Sequence, residues 1–145
     1  MQKISVEQVR AQVQNFWRVF SGKSAAEFES LYFPEGTILE MDARRIEPAR
    51  LMVARRVREL LAERASVDAQ LGPMDVLILE PNLAVAAYSL HFHVIRLMPN
   101  GKRRESDVRI ARATQVFQQD EHGVLRILHE HLSAGTAAVP VELPD

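Results

Sequence analysis

The chain has 145 residues, with 18 lysines and arginines against 19 aspartates and glutamates, a net charge of −1 and 47% hydrophobic residues. A chain of this length buries roughly 70% of its unfolded surface in one ordinary domain, so a core forms without a disulfide or metal staple. Cysteine is absent, which excludes disulfides, thiolate zinc sites, iron–sulfur clusters and a thiol nucleophile. The near-neutral balance argues against a nucleic-acid binder. The N-terminal MQKISVEQVRAQVQ lacks the apolar core of a secretory signal, and no stretch approaches the roughly 20 apolar residues of a spanning helix. The expectation is a cytoplasmic protein with no membrane contact.

In chain order, residues 5–21 predict an amphipathic helix, because Val6, Val9, Val13, Phe16, Trp17 and Phe20 fall on one stripe. Ser5 with Gln8 forms a capping box, across which Ile4 can staple onto Val9. Gly22 ends that helix, and Ser24 with Glu27 caps a short second one carrying Phe28 and Leu31 inward. After Pro34-Glu35-Gly36, Thr37–Met41 has the composition of a short strand. Pro48 suits the first turn of a third helix reaching about Arg64, with Val53, Val57, Leu60 and Leu61 on its buried side. Its arginines, Arg44, Arg45, Arg50, Arg55, Arg56, Arg58 and Arg64, alternate with acids and read as a solvated face.

From Val67 the pattern turns to strands: Val67–Glu80, Leu83–Met98, Lys102–Gln119 and Val124–Ser133, broken at Pro81-Asn82, Asn100-Gly101 and Asp120–Gly123. Helices followed by an antiparallel meander predict an α+β domain with the helices covering one face of the sheet. The expected layout is one domain over 1–133 and an extended or disordered tail over 134–145.

Turn lengths fix register, and register fixes which side chains share a face. A two-residue turn at Asn100-Gly101 sets Tyr88 opposite Ala113 and Leu90 opposite Ala111; a four-residue loop at Asp120–Gly123 sets Gln115 opposite Leu128 and Ala113 opposite Glu130. One face then carries Tyr88, Phe92, Arg109, Gln115, Leu128, Glu130 and Leu132, and the small Ala111 and Ala113 leave room for a pocket there. Glu130 either pairs with Arg109 or sits at a wet rim, or it is a carboxylate held in an apolar pocket and able to act as acid or base near neutrality.

The opposite face carries His91, His93, Ile110, Thr114, His129 and His131. Two H-x-H pairs invite a metal, but a strand separates them, so the imidazoles stand roughly 10 Å apart. No metal and no cofactor is expected. The mixed apolar and polar residues of that face suit contact with a second copy of the chain, through His91, Ile110, Thr114, His129 and His131.

The order of elements, with LYFPEGTILE at 31–40 and ATQVFQQDEHGVLRILHEHLS at 113–133, resembles the nuclear-transport-factor-two-like superfamily. Within it the chain is similar to SnoaL-like polyketide cyclases, ketosteroid isomerase and the association domain of calmodulin-dependent kinases. The resemblance implies a cone-shaped roll, an internal pocket and dimers through the outer sheet face. It sets Glu40 where ketosteroid isomerase has its general base and Tyr32 at a pocket tyrosine. The isomerase's two strong oxyanion donors are replaced by Phe16, which donates nothing, and Gln115, which offers only a neutral amide, so steroid isomerisation is disfavoured.

The expected function is therefore a homodimeric binder of a small apolar molecule. If it is catalytic, it is an isomerase, cyclase or lyase acting on an apolar carbonyl compound. Glu40 and Glu130 are the candidate acid–base groups. Phe16, Trp17, Tyr32, Tyr88, Phe92, Arg109, Gln115, Leu128 and Leu132 are the candidate binding residues. The rival reading is a non-catalytic module for oligomerisation or ligand sensing.

Overall fold

The computed structural model describes residues 3–22, 24–41, 44–106 and 108–134. Its first helix, α1 (Val6–Gly22), starts at the expected capping box: Gln8 N–H donates to Ser5 Oγ at 3.1 Å and Ser5 N–H to Gln8 Oε1 at 2.8 Å. Ile4 is buried beside it, as a staple requires, and its N–H donates to Pro81 O. Ser24 caps α2 (Ala25–Glu29), and Phe28 of α2 is fully buried. The third helix, α3 (Ala49–Ala62), begins one residue after Pro48, which stands at its N-cap.

The strands are β1 (Tyr32–Leu39), β2 (Glu47–Pro48), β3 (Ala65–Glu80), β4 (Leu83–Leu97), β5 (Arg103–Glu105), β6 (Arg109–Gln119) and β7 (Leu125–Ala134). They form one curved, unclosed sheet in the order β2-β1-β7-β6-β4-β3, with β5 paired to β4. The meander is antiparallel as expected, whereas β1 joins β7 in parallel and makes the sheet mixed. The helices pack on one side, α1 chiefly against β3 and α3 against β1. Between them lies a core built from Val9, Val13, Phe16, Phe28, Ile38, Val53, Leu90 and Phe117. Among the described residues no helix is long and apolar enough to cross a membrane.

Strand β1 begins earlier than the sequence suggests, at Tyr32 rather than Thr37. Its ladder with β7 is interrupted between Tyr32 and Thr37, so Pro34, which lacks an N–H, sits where no ladder bond is needed. Two hairpin turns also differ from expectation, the one at Asn100-Gly101 longer by one residue and the one at Asp120–Gly123 shorter by one. At Met98–Lys102 and Asp120–Val124 the loop has three residues and ends on a left-handed glycine, Gly101 (φ 81°) and Gly123 (φ 79°).

These turns shift the register, and the sheet then corrects it. An irregularity between Glu105 and Arg109 restores the expected pairing of Tyr88 with Ala113 and Leu90 with Ala111. In β7 a bulge near Leu128 changes the pairing: Phe117 faces Ile127, but Gln115 faces Glu130 and Ala113 faces Leu132. The pairing of Gln115 with Leu128 is thus corrected by two residues. The bulge also exchanges the roles of two neighbours, since Ile127 is buried inside while Leu128 is only half-buried. Of the expected tail, Ala134 ends β7 and the remainder lies outside the described residues.

Candidate functional site

Glu130 and Gln115 are neighbours across β6 and β7 and both are 0% exposed. Alternation along β1 turns Ile38, and with it Glu40 just past the strand end, toward the helices. Helix α3 contributes Arg56, which is 8% exposed and not on the solvated face expected for it. Ala49, Met52, Val53, Val57 and Leu60 are its buried companions, so Arg56 belongs to the inward stripe of the helix.

These side chains form one continuous polar network inside an apolar shell. Gln115 Nε2 donates to Glu130 Oε1 at 2.7 Å, Tyr32 Oη donates to the same oxygen at 3.1 Å, and Arg56 Nη2 donates to Glu130 Oε2 at 3.2 Å. Arg56 Nη1 reaches Tyr32 Oη at 3.3 Å, and Arg56 also pairs closely with Glu40. On the other flank, Trp17 Nε1 donates to Tyr88 Oη at 3.0 Å and Tyr88 Oη donates to Gln115 Oε1 at 2.9 Å. Phe20 offers its ring face to the Arg56 guanidinium, 5.7 Å from the centroid.

A buried charge is tolerated only when it is paired and hydrogen-bonded, and this network meets that condition from both sides. Burial, reinforced by the Glu130 carboxylate, pushes the Tyr32 and Tyr88 phenols well above the ordinary tyrosine range, so both are neutral donors. Burial opposes the charge on Arg56, but the Glu130 and Glu40 carboxylates beside it outweigh that and hold it cationic.

The candidate residues therefore divide by position. Trp17, Tyr32, Glu40, Tyr88, Gln115 and Glu130 meet in the network. Phe16 is buried next to it, its ring edge-on to Trp17, Phe28 and Tyr32. Leu132 is buried and Phe92 is half-buried against the same core. Two candidates are placed elsewhere. Leu128 sits at the bulge, and Arg109 is exposed at the far end of β6, so the partner of Glu130 is Arg56 rather than Arg109. The surroundings of Glu130 are polar donors, not the apolar wall expected for it. The signal for Arg56 was present in its spacing: Met52, Val53, Arg56, Val57 and Leu60 share one helical stripe.

On the outer face, His91 stands opposite Ile110, and His129 and His131 stand opposite Val116 and Thr114. From Ile110 to Thr114 is about 13 Å along the strand, which adds to the strand separation between the two histidine pairs. Among the described residues no three histidine, aspartate or glutamate side chains gather as metal ligands.

No protein-family model matches the chain, and no curated protein matches it in sequence. Solved structures do match in fold. The beta subunit of benzoate 1,2-dioxygenase from Burkholderia mallei is similar with a TM-score of 0.75 at 11% identity, over 93% of this chain and 93% of that one. A Xanthomonas campestris protein described as a calcium/calmodulin-dependent protein kinase II association domain is similar with a TM-score of 0.70 at 19% identity, over 94% and 96%. ActVI-ORFA from Streptomyces coelicolor is similar with a TM-score of 0.70 at 8% identity, over 88% and 95%. The chain thus has the cystatin-like α+β fold of nuclear-transport-factor-2-like proteins.

Proposed function

We propose that the protein binds a small apolar molecule in the manner of SnoaL-like proteins, and that the ligand meets Glu40, the partly exposed carboxylate of the network. The observation that carries this reading is the asymmetry between the two carboxylates. Glu130 is sealed, and its oxygens already accept from Arg56, Tyr32 and Gln115. The Glu40 side chain is 25% exposed and is held by the buried Arg56. Gln115 is committed through both ends of its amide and Phe16 carries no donor, so an oxyanion deep inside the sheet would have to displace existing bonds. Chemistry, if the ligand reacts, belongs to Glu40 as the group that takes a proton beside a carbonyl, with Arg56 fixing its orientation. Glu130 then acts as a positioning residue, because it anchors Arg56.

Thermal-shift measurements with a panel of hydrophobic ketones and aldehydes, together with native mass spectrometry of freshly purified protein, test the reading. The expected result is a raised melting temperature or a retained small mass. For any compound that is turned over, Glu40→Gln should remove turnover while leaving the subunit number unchanged. No shift with any carbonyl compound and no retained ligand would overturn the binding reading; full turnover by Glu40→Gln would remove Glu40 from the chemistry.

A second reading has its own observation. On the outer face Leu77, Val85 and Val116 stand in register across β3, β4 and β6, and Leu77 is 60% exposed. Such a row favours a module that assembles copies of itself. Binding inside and assembly outside use opposite faces of one sheet and are compatible.

A further inference from the structure

The sheet face that carries Tyr88 and Gln115 also borders a hollow beyond Phe92. Register places Arg96 opposite Arg104 across β4 and β5, and Arg109 opposite Phe92 across β4 and β6. All three arginines border a cavity of about 620 Å³ whose apolar wall includes Val94 and Met98. Arg96 is neutralised by Glu63 at the end of α3, with contacts of 2.9 and 3.1 Å. Arg104 and Arg109 have no ion-pair partner among the described residues. Glu105, the acid bordering the hollow, comes within 3.9 Å of His93. Among the described residues the hollow thus holds two guanidinium groups without an ion pair, those of Arg104 and Arg109, and one carboxylate, that of Glu105, above an apolar wall.

We propose that this cavity binds small organic molecules that combine an apolar body with a terminal carboxylate or phosphate. Two like charges over one concavity repel each other, and an anion between them removes that repulsion. A planar guanidinium presents its N–H groups as a fork that matches two oxygens of a carboxylate or phosphate. The apolar wall accepts the body of the ligand, and the volume falls in the range of roughly 300–1,000 Å³ typical of small-molecule sites. This site is separate from the interior network, since Arg109 stands six residues along β6 from Gln115, about 20 Å at strand spacing.

Octanoate and octyl phosphate are suitable probes, with 1-octanol as the uncharged control and inorganic phosphate as the anion without a body. Isothermal titration of the full chain should show both amphiphilic anions binding, each more tightly than either control. Arg109→Gln and Arg104→Gln should each weaken that binding about tenfold or more, with melting temperatures unchanged because Arg104 and Arg109 are exposed. Glu40→Gln should leave it intact, so failure here and failure of the carbonyl-binding reading are distinguishable. The proposal is overturned if neither anion binds, if the arginine variants bind as well as the wild type, or if octanol binds equally. Arginine-dependent sedimentation with phosphatidylserine vesicles, without binding of the monomeric probes, would replace the small-molecule site with a lipid surface.

Discussion

At Glu130 three donors converge from three different elements: Arg56 from α3, Tyr32 from β1 and Gln115 from β6. The carboxylate therefore ties the helix layer to both of its neighbouring strands. A sequence reading finds Glu130 by alternation, but its partner is harder, because an arginine on a basic helix is usually solvated and only the stripe it shares with Val53 and Val57 places it inside. The pairing of Glu130 with Arg56 rather than Arg109 follows once α3 is docked on β1. The two tyrosines of the chain, Tyr32 and Tyr88, are both buried in this network. Their folded phenols titrate above the ordinary value of 10.0, so above about pH 10 the unfolded chain gives up protons that the folded chain keeps. Stability that is complete below pH 10 should then fall as pH rises, by about 1.4 kcal/mol per pH unit for each tyrosine. Tyrosinate absorbance followed together with far-ultraviolet circular dichroism should show ionisation only as the fold is lost, and Tyr88→Phe should halve the pH slope. Tyrosinate appearing near pH 10 in an intact fold would contradict the buried network.

At the scale of elements, the bulge in β7 and the interruption in β1 face each other. Tyr32 pairs with Ile127 and Thr37 with His129, so β1 spends five residues where β7 spends two. Gly36 closes this mismatch. A Cβ on it would meet the carbonyl oxygens of Phe33 at 2.9 Å and Ile127 at 3.0 Å, and both are backbone atoms that cannot swing aside. A Gly→Ala change at a permissive site stabilises by about 0.4–1 kcal/mol through the unfolded chain, but a clash of this kind costs about 1–3 kcal/mol, so the clash wins. Gly36→Ala should lower the urea midpoint accordingly, and an unchanged midpoint would show that β1 is not pressed against the bulge. The same bulge explains where sequence reasoning succeeded and failed. Helix caps, the meander and the inward parity of Tyr88, Gln115, Glu130 and Leu132 follow from local rules, since each rests on residues close in the chain. The pairing of Gln115 with Glu130 does not, because a three-residue turn and an extra residue near Leu128 each move the ladder by one position, and neither leaves a distinct mark in the alternation.

The two faces of the whole molecule answer to different physics. The helix side is closed by an apolar core around a saturated polar network, whereas the outer side keeps Leu77 exposed in register with Val85 and Val116. The next row across the sheet is Asp75, Ala87, Thr114 and His131, which is small enough in its middle for another surface to approach closely. If two copies meet on this face about a two-fold axis, every contact residue is used twice. Burying one leucine side chain contributes about 1.5–3 kcal/mol, so placing a charge at Leu77 in both copies removes about twice that, which corresponds to roughly a hundredfold or greater loss of affinity. Leu77→Glu should therefore convert an assembled protein to monomers in sedimentation velocity with little effect on folding, because Leu77 is exposed in the single chain. Thr114→Glu, at the centre of the face, should do the same. A sedimentation coefficient unchanged by both substitutions would move the contact between copies off the outer sheet.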